Sequence, residues 1–104
     1  MGVFRLSRRA AADLLEIGAY TLRQWGEDQT LRYLDNLEAC CRMLAGNPGL
    51  GRACDDIRPG LQRMECGQHV VFYRQESGGI PVSRILHRRM LPERQSPGDQ
   101  GNEP

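Results

Sequence analysis

The sequence has 104 residues, which is the usual size of one domain and leaves no room for two hydrophobic cores. It contains no apolar run long enough for a signal peptide or a membrane span, so we expect a cytoplasmic protein with no membrane partner. All fourteen cationic residues are arginine, and the formal net charge is +1. Between Arg58 and Arg94 there are seven arginines and three acidic residues, and this excess of positive charge favours an acidic or nucleic-acid partner.

Two amphipathic helices are predicted in the N-terminal half, after a short strand at Val3–Leu6. Ser7 is a good N-cap, because its hydroxyl can accept a free backbone N–H of the first helical turn. Gly26 should end the first helix and the second should run from about Asp28 to Gly46, which predicts an antiparallel hairpin. The apolar stripes are assigned to Ala10, Leu14, Ile17, Thr21 and Trp25, and to Leu31, Leu34, Leu37, Cys41 and Leu44.

Three strands are predicted in the C-terminal half, after a connector without secondary structure that is rich in glycine and proline. We assign the strands to Leu61–Cys66, His69–Gln75 and Ile80–His87, with turns between them that contain glycine. Residues 95–104 cannot bury apolar area, so they predict a disordered tail after a single domain of residues 1–94.

The four cysteines form no C-x-x-C pair and show no metal-ligand spacing with either histidine, so we predict no metal site and no cofactor. In a reducing cytoplasm, the thiols are expected to be small buried apolar groups. Of the two histidines, His69 is expected to be a polar surface or turn residue. The cysteines are Cys40, Cys41, Cys54 and Cys66.

Short motifs occur in a fixed order over roughly residues 3–94. They include Leu6-Ser7, Tyr20-Thr21, Trp25-Gly26, Tyr33-Leu34, Asn47-Pro48, Ile57-Arg58-Pro59-Gly60, Phe72-Tyr73-Arg74 and Arg84-Ile85-Leu86-His87, followed by Arg89-Met90 and Arg94. In these motifs the chain resembles the ParE branch of the RelE/ParE toxin superfamily. One departure is Leu91, which stands where members commonly have an acidic residue after the Arg-Met pair.

The resemblance implies an α+β fold in which an N-terminal strand precedes an antiparallel helical hairpin packed on an antiparallel sheet, in the order β-α-α-β-β-β. It also implies the toxin of a type II toxin–antitoxin system, which inhibits DNA gyrase by stabilising the cleaved DNA–gyrase complex. A ParD-like antitoxin would neutralise the toxin and bind operator DNA, so that the toxin reaches the operator only indirectly. No catalytic residue is implied, because gyrase supplies the strand-breaking tyrosine.

Two sets of residues are candidates for these contacts. An amphipathic antitoxin helix is expected on the exposed side of the hairpin, with an acidic stretch beside nearby arginines. The basic end of the sheet is expected to face gyrase and its DNA, because arginine stays charged and strands fix side-chain directions. The antitoxin-binding candidates are Leu15, Tyr20, Leu22, Tyr33, Arg58 and Arg74, and the gyrase-binding candidates are Arg84, His87, Arg88, Arg89 and Arg94.

Alternatives remain open for individual residues. Tyr20, Trp25 and Tyr33 have the spacing of core or hairpin-seam residues, because large aromatic side chains usually supply buried area. Arg74 or Arg84 could pair with Glu65 or Glu76 at the surface, which is worth under about 1 kcal/mol. The arginines at the basic end of the sheet could also form a solvated face without a partner.

Two alternatives concern the function itself. Members of the sister RelE branch cut messenger RNA on the ribosome without a metal ion, which requires a base, cations and an acid. Strand alternation, however, sends Tyr73 and Arg74 to opposite faces of the sheet, and it separates Arg84 from His87 in the same way. A non-toxic interaction module descended from a toxin is the other alternative. The residues of the required types are Arg63, Tyr73, Arg74, Arg84 and His87.

Overall fold

A sheet of five strands, covered on one face by two helices, makes up the computed structural model, which describes residues 3–91. The sheet order is β1-β5-β4-β3-β2. Short 3-10 turns lie at Pro48–Leu50 and Arg88–Met90. The elements are β1 (Phe4–Leu6), α1 (Arg8–Trp25), α2 (Glu27–Gly46), β2 (Arg52–Ala53), β3 (Leu61–Cys66), β4 (His69–Arg74) and β5 (Ile80–His87).

The helix boundaries agree with the capping residues predicted from the sequence. Ser7 has extended backbone dihedrals, and its Oγ accepts the backbone N–H of Ala10 at 3.0 Å. Gly26 has φ = 88°, a conformation that favours glycine, and its N–H donates to the carbonyl oxygen of Leu22. The second helix begins at Glu27, one residue before the predicted position. The helical hairpin is therefore confirmed, with its connection reduced to one glycine.

The main core lies between the helices and the inner face of the sheet, and two predicted core residues are missing from it. Leu31 is 57 % exposed and Trp25 is 70 % exposed. The predicted α2 stripe reaches Leu31 from the buried Leu37 by two steps of three residues, and each step turns about 60° around the helix. Leu31 therefore lies away from the buried face. Trp25 is the last residue of α1, at the tip of the hairpin. The buried core residues are Ala10, Ile17, Leu37, Cys41, Leu44, Ala45, Cys66, Val71, Tyr73, Ile80, Val82 and Ile85.

The predicted order β-α-α-β-β-β and the antiparallel arrangement of β3, β4 and β5 are confirmed. The sheet as a whole is mixed, because β1 joins the outer edge of β5 in parallel, with Phe4 opposite Ile80. The connector before β3 was predicted without secondary structure, and this was wrong. It contains a 3-10 turn and the two-residue strand β2, which pairs with β3. A strand of two residues gives no alternation that a sequence could reveal.

A disulfide bond joins Cys40 of α2 to Cys66 at the end of β3, so the prediction of free thiols was wrong for this pair. The two residues are 26 positions apart in sequence, and their Cα atoms lie 6.5 Å apart. Only the packing of α2 across β3 brings them together, which explains why spacing did not reveal the pair. Cys41 and Cys54 are free and buried, as predicted for thiols.

Neither helix within residues 3–91 combines the length and apolar character that a membrane span requires. Over the same part of the chain, no three His, Cys, Asp or Glu side chains come together as ligands for a metal ion. The predicted absence of a metal and a cofactor stays a prediction. The predicted tail, the end of the predicted domain at residue 94, and Arg94 itself lie outside the described residues.

Candidate functional site

The sheet face that the helices leave open carries a groove of about 930 Å³, which we call the basic groove. Its floor is apolar because alternate residues of β3, β4 and β5 point to this face. Leu91 closes the floor and is only 4 % exposed, which accounts for the apolar residue at this position. The floor consists of Leu61, Phe72, Leu86 and Leu91, and the rim includes Ser7, Arg8, Arg9, Asp56, Ile57, Arg58, Ser83 and Arg84.

Arginines predicted from the sequence for two different partners meet at this face. Arg58 and Arg84 line the basic groove directly. Arg74 is exposed and lies opposite Leu61 in the register of β3 and β4, so alternation puts it on the same face as Phe72. The groove therefore combines an apolar floor with fixed positive charge, which suits a partner segment that carries both apolar and acidic side chains.

Asp13 of α1 holds the guanidinium of Arg84 in a bidentate ion pair. Nε of Arg84 donates to Oδ2 at 2.9 Å, and Nη2 donates to Oδ1 at 3.0 Å. Oδ2 also accepts the backbone N–H of Ile85 at 2.9 Å. Burial alone would raise the pKa of Asp13, but the hydrogen bonds from Arg84 and Ile85 outweigh it and the pKa lies below its ordinary value.

This ion pair replaces the surface pairs that the sequence suggested for Arg84, since Glu76 pairs with Arg5 and Glu65 pairs with Arg52. The role of Asp13 was missed in the sequence. The signal was present, because Asp13 is an acidic residue on the apolar face between Ala10 and Ile17, where a carboxylate needs a partner.

The candidates for gyrase binding do not share one surface. Arg84 faces the basic groove, whereas His87 lies on the helix side of the sheet beside His69. Arg88 and Arg89 follow in the exposed 3-10 turn after β5. The backbone N–H of Arg88 donates to the carbonyl oxygen of Gln68 at 2.9 Å. Two adjacent guanidinium groups are therefore presented to solvent by a turn whose backbone is hydrogen-bonded to the sheet.

Tyr33, His69 and His87 form a cluster between α2 and the end of the sheet. The Tyr33 hydroxyl lies 2.5 Å from Nδ1 of His69 and accepts the backbone N–H of Gln68 at 3.1 Å. The rings of His69 and His87 meet edge to face, with centroids 5.1 Å apart. Burial, together with the charge of His87, lowers the pKa of His69 to about 4. The prediction of a surface histidine was wrong, because α2 covers this end of β4.

The side chains of the right types for RNA cleavage do not converge within residues 3–91. Tyr73 is fully buried, and its hydroxyl donates to the carbonyl oxygen of Pro48 at 2.7 Å. The same hydroxyl accepts the backbone N–H of Gly51 at 2.9 Å. Arg84 lines the basic groove, on the opposite face of the sheet from Tyr73, and its guanidinium is paired with Asp13. The tyrosine hydroxyl is thus committed to anchoring the connector before β3.

A second apolar surface lies on the helical hairpin. Leu15 is 77 % exposed and Leu22 is 51 % exposed, and their separation of seven residues puts them on one face of α1. Leu15 also borders a cavity of about 360 Å³ between the hairpin and β1. Tyr20 is exposed, whereas Tyr33 is half-buried in the cluster with His69. The antitoxin-binding residues predicted from the sequence are therefore divided between this surface, the open sheet face and an internal cluster.

Comparison with known proteins gives a consistent result. The sequence model described as the ParE toxin of the type II toxin–antitoxin system parDE matches residues 4–92. The chain is 46 % identical over 88 residues to Toxin ParE1 of Mycobacterium tuberculosis, covering 84 % of this chain and 90 % of that protein. It is 41 % identical over 90 residues to Toxin ParE1 of Caulobacter vibrioides, covering 86 % and 93 % of the two chains.

A solved structure described as a chromosomal ParDE toxin–antitoxin system from P. aeruginosa has a similar fold. The TM-score is 0.71 at 20 % sequence identity, and the match covers 84 % of this chain and 96 % of that one.

Proposed function

The chain belongs to the ParE toxin family of type II toxin–antitoxin systems, and we propose that it inhibits DNA gyrase in the cytoplasm until a ParD-like antitoxin neutralises it. In this proposal the toxin stabilises the cleaved DNA–gyrase complex by binding and performs no covalent chemistry of its own. Operator DNA is contacted by the antitoxin and only indirectly by the toxin.

The exposed turn at Arg88 and Arg89 is the observation that carries the gyrase assignment. Both side chains are exposed at the end of the sheet, while the backbone N–H of Arg88 is fixed to Gln68. A turn whose backbone is already held can present two guanidinium groups to phosphate or carboxylate groups without the cost of ordering a flexible loop. Arg84 contributes less directly, because Asp13 already occupies two of its donors.

Charge reversal tests the assignment. Arg88→Glu combined with Arg89→Glu should abolish the inhibition of supercoiling and the accumulation of cleaved plasmid, measured with purified gyrase, ATP and relaxed DNA. The fold and antitoxin binding should persist, since the backbone hydrogen bond of residue 88 survives the substitution. Arg23→Glu with Arg32→Glu is the matched control, because both arginines are exposed on the helices away from the sheet.

Full inhibition by the Arg88→Glu, Arg89→Glu variant would reject the role of this turn. Normal supercoiling in the presence of the unaltered folded toxin would reject gyrase as the target. Ribosome-dependent cleavage of messenger RNA would then be the next assay, and a negative result there would leave a non-toxic binding module.

The basic groove supports the antitoxin part of the proposal. Its apolar floor and its arginine rim fit an antitoxin segment in which apolar anchors alternate with acidic side chains. Arg58 and Arg74 flank Leu61 at the same end of the floor, so one acidic stretch can reach both. A second, amphipathic helical segment would cover Leu15 and Leu22 on α1, which an isolated toxin leaves in water.

Binding to the small protein encoded beside the toxin gene would test this arrangement. Arg58→Glu with Arg74→Glu should weaken the complex at least about tenfold, which corresponds to 1.4 kcal/mol, and should reduce its salt dependence. The variant with reversed charge at Arg88 and Arg89 is the control here, because its turn does not line the basic groove, and it should bind like the unaltered toxin. Equal affinity of all three proteins would rule out the open sheet face as the antitoxin site.

A further inference from the structure

The β3–β4 turn is tied to α2 by a covalent bond and by noncovalent contacts. Cys66, the last residue before the turn, forms the disulfide bond with Cys40. Gly67 has φ = 65° and lies so close to Tyr33 that a Cβ atom there would be 3.1 Å from the tyrosine ring. The backbone N–H of Gln68 donates to the Tyr33 hydroxyl. The position of this short turn is therefore set by α2.

The same turn supports the exposed basic turn. Gln68 accepts the backbone N–H of Arg88 through its carbonyl oxygen, at 2.9 Å. One residue further, His69 pairs with His87 in the register of β4 and β5. A continuous series of contacts thus runs from the disulfide bond, through Gln68, to the backbone that presents Arg88 and Arg89.

Cys40 is the less buried of the two residues joined by the disulfide bond. Cys40 is partly exposed, whereas Cys66 is 8 % exposed, so an external thiolate can reach Sγ of Cys40 first. The two free cysteines do not compete in this exchange. Burial, with a smaller contribution from Glu38, raises the pKa of Cys41 to about 11, and burial also raises the pKa of Cys54.

We propose that the Cys40–Cys66 bond is a redox-sensitive lock, whose reduction by small thiols loosens the β3–β4 turn and the Arg88–Met90 turn that follows β5. In the first step a thiolate attacks Sγ of Cys40, a mixed disulfide forms, and Cys66 leaves as a thiolate. A second thiolate then attacks the outer sulfur of the mixed disulfide, releasing Cys40 as a thiolate and a small-molecule disulfide. The protein gains two electrons, the small thiols lose two, and the released thiolates take protons from water. Oxidation by a small-molecule disulfide reverses both steps.

The consequence for activity rests on the proposed function, in which the Arg88–Met90 turn binds gyrase. The oxidised form should present Arg88 and Arg89 in one arrangement and bind the target more tightly. In the reduced form only noncovalent contacts with Tyr33 hold the β3–β4 turn, so this form must order the turn on binding and should inhibit gyrase more weakly.

Hydrogen exchange of the full chain tests the lock without reference to any target. On reduction with dithiothreitol, the amides of Gln68 and Arg88 should exchange at least about tenfold faster, since opening of the loop that this bond closes becomes easier by more than that factor. The amide of Val71 in the centre of the sheet, which exchanges through global unfolding, should remain much slower than either. A variant with Cys40→Ala and Cys66→Ala should not respond to the reductant, and a Cys54→Ala control should respond as the unaltered protein does.

The lock is refuted if alkylation of the oxidised protein, unfolded in denaturant without reductant, finds four thiols instead of two, or if both forms exchange alike at Gln68 and Arg88. Gyrase assays on the two redox forms then test the consequence for activity. Equal inhibition by both forms would overturn the link between the bond and the target. Absence of inhibition by either form would instead overturn the proposed function, while the exchange result would still decide the lock.

Discussion

Replacing Asp13 with alanine is the change that should most reveal how α1 is attached to the sheet. The substitution removes both hydrogen bonds from Arg84 and the one from the backbone N–H of Ile85. The stranded N–H of Ile85 alone should cost about 1–3 kcal/mol, because it lies in the core. The Arg84 side chain is 31 % exposed, so water recovers part of its lost pairing and the penalty stays below that of a fully buried pair. We expect a total loss of about 3 kcal/mol.

Urea denaturation followed by circular dichroism would measure this loss, with the slope m unchanged if the native state keeps its compactness. A double-mutant cycle between Asp13→Ala and Arg84→Ala should give a coupling of about 2 kcal/mol. The matched control is the exposed pair between Arg5 and Glu76, with an N–O distance of 3.3 Å, whose coupling should be below about 1 kcal/mol.

The free energy of unfolding should also depend on pH through Asp13. Because the pKa of Asp13 is lowered in the folded state, its contribution is present above its ordinary pKa and is lost as the pH falls through the lowered value. A loss below about 0.5 kcal/mol for Asp13→Ala, or a coupling with Arg84 no larger than that of the control pair, would refute the stabilising role of this ion pair.

Three further changes should have separable effects. Tyr73→Phe removes a buried hydroxyl that accepts the N–H of Gly51, so thermal denaturation should show a loss of about 1–3 kcal/mol, and unchanged stability would contradict this anchoring role. His69 has a pKa of about 4 in the folded protein, so the unfolded chain binds an extra proton as the pH falls from about 6.5 to 4, and the free energy of unfolding should drop by up to about 3 kcal/mol. The variant His69→Gln should lose this pH dependence. If the dependence persists in the variant, another group causes it. Reduction of the disulfide bond between α2 and β3, whose cysteines are 26 residues apart, should cost about 3 kcal/mol in urea denaturation, and identical curves for the two forms would argue against the bond.

Much of the fold could be predicted because local signals agreed with each other. Ser7 and Gly26 fixed the ends of α1 through chemistry that operates within one turn of the chain. Gly67 and the glycine-containing turn before Ile80 separate three runs of residues that favour strands, and the bounds of β3 and β5 match the prediction. Strand alternation also correctly implied that Arg84 and His87 lie on opposite faces.

The misses at Cys40, His69 and Asp13 depend on contacts between residues distant in sequence. The Cys40–Cys66 bond requires α2 to lie across β3, and the covered position of His69 requires the same packing. The place of Asp13 on the apolar face of α1 indicated that it needs a partner, but only the folded edge of β5 identifies that partner as Arg84. The basic groove is likewise a property of three strands together, so sequence could supply its arginines but not their common location.

The parallel pairing of β1 with β5 has a consequence for how the protein is made. The Ser7 hydroxyl donates a hydrogen bond to the carbonyl oxygen of Ser83, which is 76 residues later, and the backbone N–H of Ser7 donates to the carbonyl oxygen of Val82. The start of the chain must therefore wait during translation until almost all of the described domain has been synthesised, and such distant pairing forms late in folding. The basic groove is lined by residues from both ends of the domain, so it exists only in the completed molecule. An antitoxin that recognises this groove would leave nascent chains alone and capture only finished toxin.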